Sequence, residues 1–501
     1  MRKNILVLTG WLILSTALYS WAEEEGKSVV QYNLGEVVVT ATKTEGYQSQ
    51  TGSSTTVITA EDIKKTGKTT VQEVLRAVPS IAVTRNGAFG GSTLVYLRGA
   101  KPGHTLVLID GIEVNDPMSA DRSFNFAHLT TDNIERIEVV RGAQSPLYGS
   151  DAIGGVINII TKKGQGRPQW EIASEGGSYN TFKETAGLSG GAEKLNYSFL
   201  ASYMNSDGIS KAANTAEKDD YANTALSSRI GYQIFDDARV NLVLRWTDTV
   251  TGLDDGAYED DPNYTAWWRN LAAKLSLTQA VTSWWGHNLS FAYNDVSRKD
   301  RDEKDNVDTT EDKQSWFKGD NKKMEWQHNF SPVNWDTLTC GFEYEEERGS
   351  SYNRSRAVIT KFDRKSVNNK GYYLQNQFKL GDVFFVTPGL RIDDHELFGA
   401  EPTYKVSAAY IISPTRTRLK TSWGTGFKAP SLYQLYSSYG NTSLSPDESE
   451  SFDCGLEQHF CGDRIFCDLT YFQNDFRNMI EWDSAASKYK NVDNAETAGW
   501  E

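Results

Sequence analysis

The chain has 501 residues, a formal net charge of -14, a mean hydropathy of -0.53, six His and four Cys. This acidity argues against a nucleic-acid partner, which favours clustered positive charge. The sequence contains no CxxC pair, no HExxH and no P-loop motif, so it offers no familiar zinc or nucleotide site. Beyond the N-terminus, no window holds the ~18 apolar residues that a membrane helix needs. The 14 Trp, 24 Tyr and 21 Phe are compatible with the aromatic girdles of a transmembrane β-barrel, although a large soluble β-protein has a similar composition.

The N-terminus has the pattern of a secretory signal. Arg2 and Lys3 precede a mostly apolar run over residues 5–18, and Ser20-Trp21-Ala22 supplies small residues before an acidic stretch. We therefore predict a signal peptide over residues 1–22, cleaved after Ala22. A helical anchor fits less well because the apolar run is short.

Residues 23–51 are mostly polar and contain one β-forming segment, EVVVTATK, over residues 36–43. Two interpretations are open for this segment. It is either an edge strand of the following domain or a strand offered to a partner, which would bind it through backbone hydrogen bonds.

Residues 52–165 predict a compact α+β domain. Helix N-caps are expected at Thr59 and Thr70, the second helix ending before Pro79. The predicted strands cover residues 56–59, 81–84, 94–97, 105–109, 135–140 and 156–160. Two long loops, 85–93 and 113–125, either contact a ligand or only fill space.

Residues 166–501 alternate apolar and polar residues in segments such as 239–246 (RVNLVLRW) and 404–412 (YKVSAAYII). Short turns such as 235–237 interleave with long polar loops, the longest at 295–323. This asymmetry is typical of an antiparallel barrel that crosses a membrane.

Several motifs occur together in a family-specific order. The most informative is SPLYGSDAIGGVINIITKK over 145–163, in which Gly149, Gly154 and Gly155 mark tight turns before a β-branched strand. The others are Leu97-Arg98-Gly99, VLIDG over 107–111, ERIEVVRG over 135–142, GTGFKAPSLYQL over 424–435 and LSPDES over 444–449. Together they closely resemble TonB-dependent outer-membrane receptors, which are active transporters of Gram-negative bacteria.

The resemblance implies a plug domain inside a transmembrane antiparallel β-barrel. It also implies that Glu36, Val37, Val38, Val39, Thr40 and Ala41 form the TonB box, which the inner-membrane energy-transducing protein TonB grips. The family's barrel has about 22 strands, whereas about fifteen are countable here. We therefore expect the barrel to be incomplete at the C-terminus, because an open sheet edge is untenable in a bilayer.

Within the family, the run over 148–161, Lys428-Ala429-Pro430 and Tyr439-Gly440-Asn441 are most similar to cobalamin (vitamin B12) transporters. This similarity implies substrate contacts at Ser92, Lys101, Ser119 and Ala120, although loop 113–125 departs from the pattern. The expected ligand is cobalamin or a related corrinoid. A ferric siderophore or haem is the alternative, and a passive porin or adhesin is an alternative of another class.

Acidic residues cluster in two early long loops. They are Asp219 and Asp220 in the first loop, and Asp254, Asp255, Asp260 and Asp261 in the second. The two loops should be neighbours, and grouped carboxylates suit calcium, as the resemblance also implies. A solvated anionic rim explains the same residues equally simply.

No catalytic constellation emerges, so we do not expect an enzyme. Three of the cysteines, Cys454, Cys461 and Cys467, flank one short turn. A disulfide between Cys454 and Cys467 is conceivable, but small apolar residues facing lipid fit better.

Overall fold

The computed structural model describes residues 36–87, 89–213, 218–254, 256, 258, 261–304, 312–356, 358–461, 464–492 and 494–501. The predicted signal peptide, residues 23–35, Asp255 and Asp260 lie outside these residues. No helix within the described part of the chain is both long and apolar enough to cross a membrane.

The first part of the chain forms a small hairpin, which the sequence did not predict, and a compact α+β domain, which it did. The strands are β1 (Val37–Val38), β2 (Gly46–Tyr47), β3 (Thr55–Thr59), β4 (Ile81–Arg85), β5 (Thr93–Leu97), β6 (Thr105–Ile109), β7 (Ile112–Glu113), β8 (Ile134–Arg141) and β9 (Gly155–Thr161). The helices are α1 (Ala60–Thr66), α2 (Val71–Leu75) and α3 (Ser145–Tyr148). Thr59 with Asp62 and Thr70 with Glu73 form the capping boxes that begin α1 and α2.

The plug core is a five-stranded sheet in the order β3-β8-β9-β6-β7, in which only β6 and β9 are parallel. Every residue of β9 is buried, as its β-branched run predicts. At Gly155 the backbone has φ +152°, and a Cβ there would lie 2.5 Å from Leu97 Cδ2 and from Val140 O. Glycine therefore lets β9 begin directly against its neighbours.

The rest of the chain forms one antiparallel sheet of sixteen strands, which confirms the predicted barrel fold. Its strands are β10 (Gln169–Gly177), β11 (Thr181–Ala192), β12 (Leu195–Ser206), β13 (Tyr221–Phe235), β14 (Ala238–Gly252), β15 (Thr265–Ala280), β16 (Trp285–Asp302), β17 (Lys313–Val333), β18 (Asp336–Ser355), β19 (Val358–Leu380), β20 (Phe384–His395), β21 (Gly399–Ile412), β22 (Thr417–Lys428), β23 (Asp447–Phe460), β24 (Ile465–Arg477) and β27 (Ala495–Trp500). The short helix α4 (Leu432–Tyr436) follows β22, and β25 (Ile480–Asp483) and β26 (Lys488–Asn491) form a separate hairpin.

The barrel strands separate polar from apolar side chains by strict alternation. On β14, Thr247, Thr249 and Thr251 are buried toward the plug, whereas Leu244 is 40% exposed on the outer face. Alternate residues of a strand point to opposite faces of the sheet, so the lumen is polar and the outside is apolar. At one end the strands are joined only by connections of two to four residues. The other end carries all the long loops, together with three short connections at 178–180, 356–357 and 396–398. These ends are called the short-turn end and the long-loop end below.

The outer face also carries Cys340, Cys454 and Cys467, whereas Cys461 lies in a turn. Cys454 pairs in register with Tyr471, and Cys467 with Gln458, so the two cysteines are four residues out of register. All four cysteines are free, and Cys454 and Cys467 are exposed. No disulfide joins these strands.

Candidate functional site

The predicted TonB box lies at the short-turn end, folded against the plug. Its strand is shorter than predicted, since β1 covers only Val37–Val38 and pairs with β2, while residues 39–43 form turns. The prediction of an extended segment over 36–43 is therefore wrong for most of its length. The reason is local, because the backbone of Val39 and Thr40 binds a plug side chain and does not pair with a strand.

Glu138 on β8 is the side chain that holds this segment. Its carboxylate accepts hydrogen bonds from Val39 N (3.0 Å), Thr40 N (2.9 Å) and Thr40 Oγ1 (2.6 Å). Tyr148 Oη donates to Thr40 O at 2.9 Å, and Asn158 Nδ2 donates to Thr40 Oγ1 at 3.0 Å. Thr40 and Glu138 are 0% and 1% exposed, so the middle of the box is inaccessible to a partner in this state.

A buried ion-pair network connects the end of the box segment to the barrel wall and the plug. Lys43 Nζ lies 2.5 Å from Glu325 and 3.6 Å from Glu343. Lys323 lies 2.9 Å from Glu343 and 3.3 Å from Glu113 of the plug. Glu343 thus pairs with Lys43 of the box segment and with Lys323, and Lys323 in turn pairs with Glu113 at the start of the plug loop.

The plug is also fixed to the barrel by two arginines from the motifs seen in the sequence. Arg98 binds the Glu501 carboxylate through Nε and Nη2, both at 2.9 Å, and Arg141 Nε lies 3.3 Å from the same carboxylate. Asp453 lies 3.7 Å from Arg98 Nη1. Bidentate pairing in a buried setting gives this contact both strength and a defined geometry. Sequence reasoning singled out both arginines but not Glu501 or Asp453.

The motif over 145–163 supplies a further contact with the barrel. Gly149 has φ +78°, and a Cβ there would lie 2.8 Å from Arg391 Nη2. Arg391 is held by Glu343 (2.9 Å) and Asp393 (2.7 Å) on the barrel wall. Glycine therefore leaves room for a buried guanidinium beside the α3 turn.

The opposite end of the plug meets aromatic side chains of the long-loop end. Met118 packs with Phe362, Val367 and Leu432, and Ser431 Oγ donates to Ala120 O at 2.9 Å. Above this contact lies an open group of rings that we call the mouth cluster, consisting of Phe317, Tyr433, Tyr436, Tyr439, Trp482 and Tyr489. Neighbouring ring centroids of Phe317, Tyr433, Tyr439, Trp482 and Tyr489 are 5.3 to 6.4 Å apart, and Tyr439 and Trp482 are exposed. Tyr436 packs on the apolar group around Met118.

Three cations border the mouth cluster. The Arg298 guanidinium lies 4.8 Å from the Phe317 ring centroid, and Lys365 Nζ lies 5.3 Å from that of Tyr436. Lys101 Nζ donates to Ile480 O and pairs with Glu481, both at 2.7 Å. Rings and cations in this arrangement can bind an anionic ligand that itself carries aromatic groups.

The four predicted substrate contacts do not all converge on this site. Lys101 borders the mouth cluster, and Ser119 and Ala120 lie in the plug loop beneath α4. Ser92 is exposed in loop 86–92, where its carbonyl accepts a hydrogen bond from Asn86 N. The aromatic residues of the mouth cluster were missed, because their spacing along the chain carries no signal that they converge.

The predicted calcium residues come together only in part. Asp254 Oδ2 accepts from Ala212 N (2.6 Å), Asp254 Oδ1 from Asp261 N (3.1 Å), and Asp219 Oδ2 from Lys211 N (2.6 Å). Burial, with Asp254 nearby, raises the pKa of Asp219 to about 6. Asp220 is exposed, and no group of three or more potential ligands arranged for a metal occurs among the described residues.

Comparison with known proteins agrees with this architecture. Residues 48–156 match the TonB-dependent receptor plug domain, and residues 173–501 match the TonB-dependent receptor-like β-barrel. The siderophore receptor PirA from Acinetobacter baumannii has a similar structure, with 21% identity, a TM-score of 0.72, and coverage of 89% of this chain and 77% of PirA. A point mutant of the ferric enterobactin receptor PfeA from Pseudomonas aeruginosa has 19% identity, a TM-score of 0.74, and coverage of 93% of this chain and 78% of PfeA.

A third similar structure is FpvA from P. aeruginosa bound to heterologous pyoverdines, with 17% identity, a TM-score of 0.74, and coverage of 95% of this chain and 71% of FpvA. At these identities the similarity concerns the fold. The plug match and the barrel match, which alone spans most of the chain, establish the family. The chain belongs to the TonB-dependent receptors, which act in transport across the outer membrane.

Proposed function

We propose that this receptor imports a ferric siderophore of anionic, aromatic character. The observation that carries the proposal is the mouth cluster, in which six aromatic rings and three cations surround the exposed end of the plug. The siderophore alternative is thereby favoured over the corrinoid that sequence motifs suggested. The fold neighbours named above are siderophore receptors, which adds support.

The chemistry of the cluster suits a ferric catecholate. Such a complex is anionic and presents the faces and edges of its aromatic rings. Tyr and Trp side chains can stack on those rings, and Lys365, which lies over the Tyr436 ring, can neutralise part of the charge. Arg298 and Lys101 already pair with Asp116 and Glu481 and contribute less. A corrinoid carries no comparable negative charge, so the three cations would contribute little to its binding.

The box segment suits the energy-coupling step of such a transporter. TonB would pair with residues 36–41 by strand addition, which needs free backbone donors and acceptors. In the resting state Glu138 occupies the amides of Val39 and Thr40. Release from Glu138 would therefore precede productive pairing with TonB.

Ligand binding to the purified protein tests this proposal. Quenching of tryptophan fluorescence would be measured with a ferric catecholate, a ferric hydroxamate, haem and cyanocobalamin. We expect the ferric catecholate to bind most tightly. Trp482→Ala and Tyr489→Ala should each weaken that binding about tenfold, about 1.4 kcal/mol, because each removes a stacking surface.

Trp335→Ala is the matched control, since Trp335 is 52% exposed in a short turn at the opposite end of the barrel. It should leave affinity unchanged. Binding of cyanocobalamin without any siderophore would return the ligand assignment to a corrinoid. Equal effects of Trp335→Ala and Trp482→Ala would remove the mouth cluster as the site.

A further inference from the structure

A hairpin at the long-loop end carries two rings of the mouth cluster. Strands β25 and β26 pair so that Ile480 lies opposite Asn491 and Trp482 lies opposite Tyr489. The ring centroids of Trp482 and Tyr489 are 5.4 Å apart. We call residues 480–491 the mouth hairpin. It is separate from the sixteen-stranded sheet, so the hydrogen bonds of the barrel strands do not fix its position.

The plug reaches the mouth hairpin through a barrel carboxylate. His104 Nε2 lies 2.9 Å from Asp447 Oδ2, and Asp447 Oδ1 accepts a hydrogen bond from Ile480 N at 2.8 Å. Because a carboxylate only accepts hydrogen bonds, His104 is the donor through Nε2. His104 and Asp447 are 1% and 2% exposed, so bulk water does not compete for these two bonds.

A second plug side chain holds the other backbone group of Ile480. Lys101 Nζ donates to Ile480 O and pairs with Glu481, both at 2.7 Å. The N–H of Ile480 is therefore bound through Asp447, and its C=O is bound directly. The Ile480 side chain is buried as well. We call the contacts of His104, Asp447 and Lys101 with Ile480 the hairpin clamp.

The plug holds His104 firmly before it meets the barrel. Residues 102–104 form one short helical turn between β5 and β6, in which His104 N donates to Lys101 O at 2.9 Å. His104 O accepts from Gly154 N at 2.8 Å, within the 145–163 motif. The ring stacks on Phe476 of β24, with centroids 5.2 Å apart. A side chain fixed in this way can orient its partner at little entropic cost.

We propose that His104 and Lys101 are positioning residues for ligand binding, which hold the base of the mouth hairpin and so place Trp482 and Tyr489 where a siderophore can stack on them. This inference rests on the proposed function of the mouth cluster. Trp482 follows Ile480 by two residues, so it shares a face of β25 with Ile480 and moves when Ile480 moves. An isolated two-stranded hairpin is marginally stable in water. Holding it in place before the ligand arrives raises affinity, because the cost of ordering it is not taken from the binding free energy.

Hydrogen–deuterium exchange of the ligand-free full chain in detergent, measured by mass spectrometry, tests the hairpin clamp. His104→Leu removes the donor to Asp447, so exchange within residues 480–491 should become about tenfold faster, whereas exchange in β8 and β9 should not change. His104→Gln carries an amide donor near the position of Nε2 and should restore slow exchange. Lys101→Met alters a partly exposed side chain, should give a smaller increase, and keeps the test decisive if His104→Leu does not fold.

Affinity for the ferric catecholate is then measured on the same variants by tryptophan fluorescence. His104→Leu should bind about tenfold more weakly than the parent, because Trp482 and Tyr489 are no longer held, and His104→Gln should bind about as tightly as the parent. His128→Leu is the matched control, since it also removes a buried plug histidine, but one that packs on β13 and β15. It should change neither the exchange of the mouth hairpin nor the affinity.

The possible failures are distinct. Unchanged exchange of the mouth hairpin in both His104→Leu and Lys101→Met would overturn the hairpin clamp, and so would equal effects of His104→Leu and His104→Gln. Faster exchange with unchanged affinity would overturn the positioning role. A parent that binds no ferric catecholate would overturn the proposed function instead, and the exchange measurements, made without ligand, would still decide whether the plug holds the hairpin.

Discussion

The two ends of the plug are held by different kinds of contact. At the short-turn end, the box segment is fixed by hydrogen bonds to Glu138 and by the ion pairs of Lys43. At the long-loop end, Arg298 and Ser431 contact Asp116 and Ala120 of the plug loop, and Met118 is in addition packed among apolar side chains beneath a cluster of aromatic rings. Water or the backbone of a partner can replace hydrogen bonds, whereas an apolar contact can only be replaced by another apolar surface.

This difference indicates how the two ends can serve different steps. The short-turn end holds the box segment mainly through hydrogen bonds, with Val38 and Ala41 as its buried apolar side chains. Hydrogen bonds of this kind suit a segment that must transfer to another protein. The long-loop end retains its packing and presents rings to a ligand. The predictions below test this division, starting with the largest expected effect.

The box segment should be essential for uptake and dispensable for ligand binding. Val38→Pro removes a backbone donor and disfavours the extended geometry needed for strand addition. We expect uptake of the bound ligand by cells to be abolished, with unchanged affinity of the purified protein. Val37→Ala, which keeps the backbone donor, is the control. Normal uptake by Val38→Pro would remove the box from the mechanism.

Glu138 should keep the box hidden. Glu138→Ala leaves the amides of Val39 and Thr40 and the Thr40 hydroxyl without their acceptor, which we expect to weaken docking of the box by about 2–5 kcal/mol. A spin label at Val37 should become mobile, and affinity for purified TonB should rise at least tenfold without ligand. Glu138→Gln keeps one acceptor and should show a smaller effect. An immobile label in Glu138→Ala would contradict the assigned role.

The plug–barrel contact at His128 should weaken in acid. The ring is buried between Tyr221 and Trp268, and burial lowers its pKa from 6.5 to about 3. Below pH 6.5 the unfolded chain binds a proton that the folded ring does not, so stability is present above this pH and falls as pH falls toward 3. Between pH 7 and pH 5 the free energy of unfolding should fall by about 2 kcal/mol.

Denaturant unfolding of the plug at the two pH values measures this loss. His128→Phe keeps a ring between Tyr221 and Trp268 but has no titrating group. From pH 7 to pH 5, its free energy of unfolding should therefore fall about 2 kcal/mol less than that of the parent. Identical pH dependence of parent and variant would show that the imidazole does not stay neutral in the folded protein.

The smallest expected effect concerns the acidic loops. If calcium binds Asp219, Asp254 and Asp261, isothermal titration should show calcium heat, and chelation should weaken ligand binding a fewfold because the loops lose their order. Asp219→Asn with Asp254→Asn should remove both effects. Absence of calcium heat in the parent would return these carboxylates to a solvated rim stabilised by loop amides.

The sequence by itself determined the barrel, the plug and the family, because these depend on local patterns. Alternation decides which residues of β14 face the lumen, and the glycines and β-branched residues of the 145–163 motif determine the turn and the buried strand β9. The same patterns allow both helix caps of the plug to be read directly from Thr59 and Thr70.

Only the tertiary structure decided which residues act together. Glu138 meets Thr40 across 98 positions of sequence, and Arg98 meets Glu501 across 403. The mouth cluster likewise joins residues of separate loops and strands. Such contacts depend on strand register and on how the plug sits in the lumen, and both result from the packing of the whole chain and not from the spacing of residues within it.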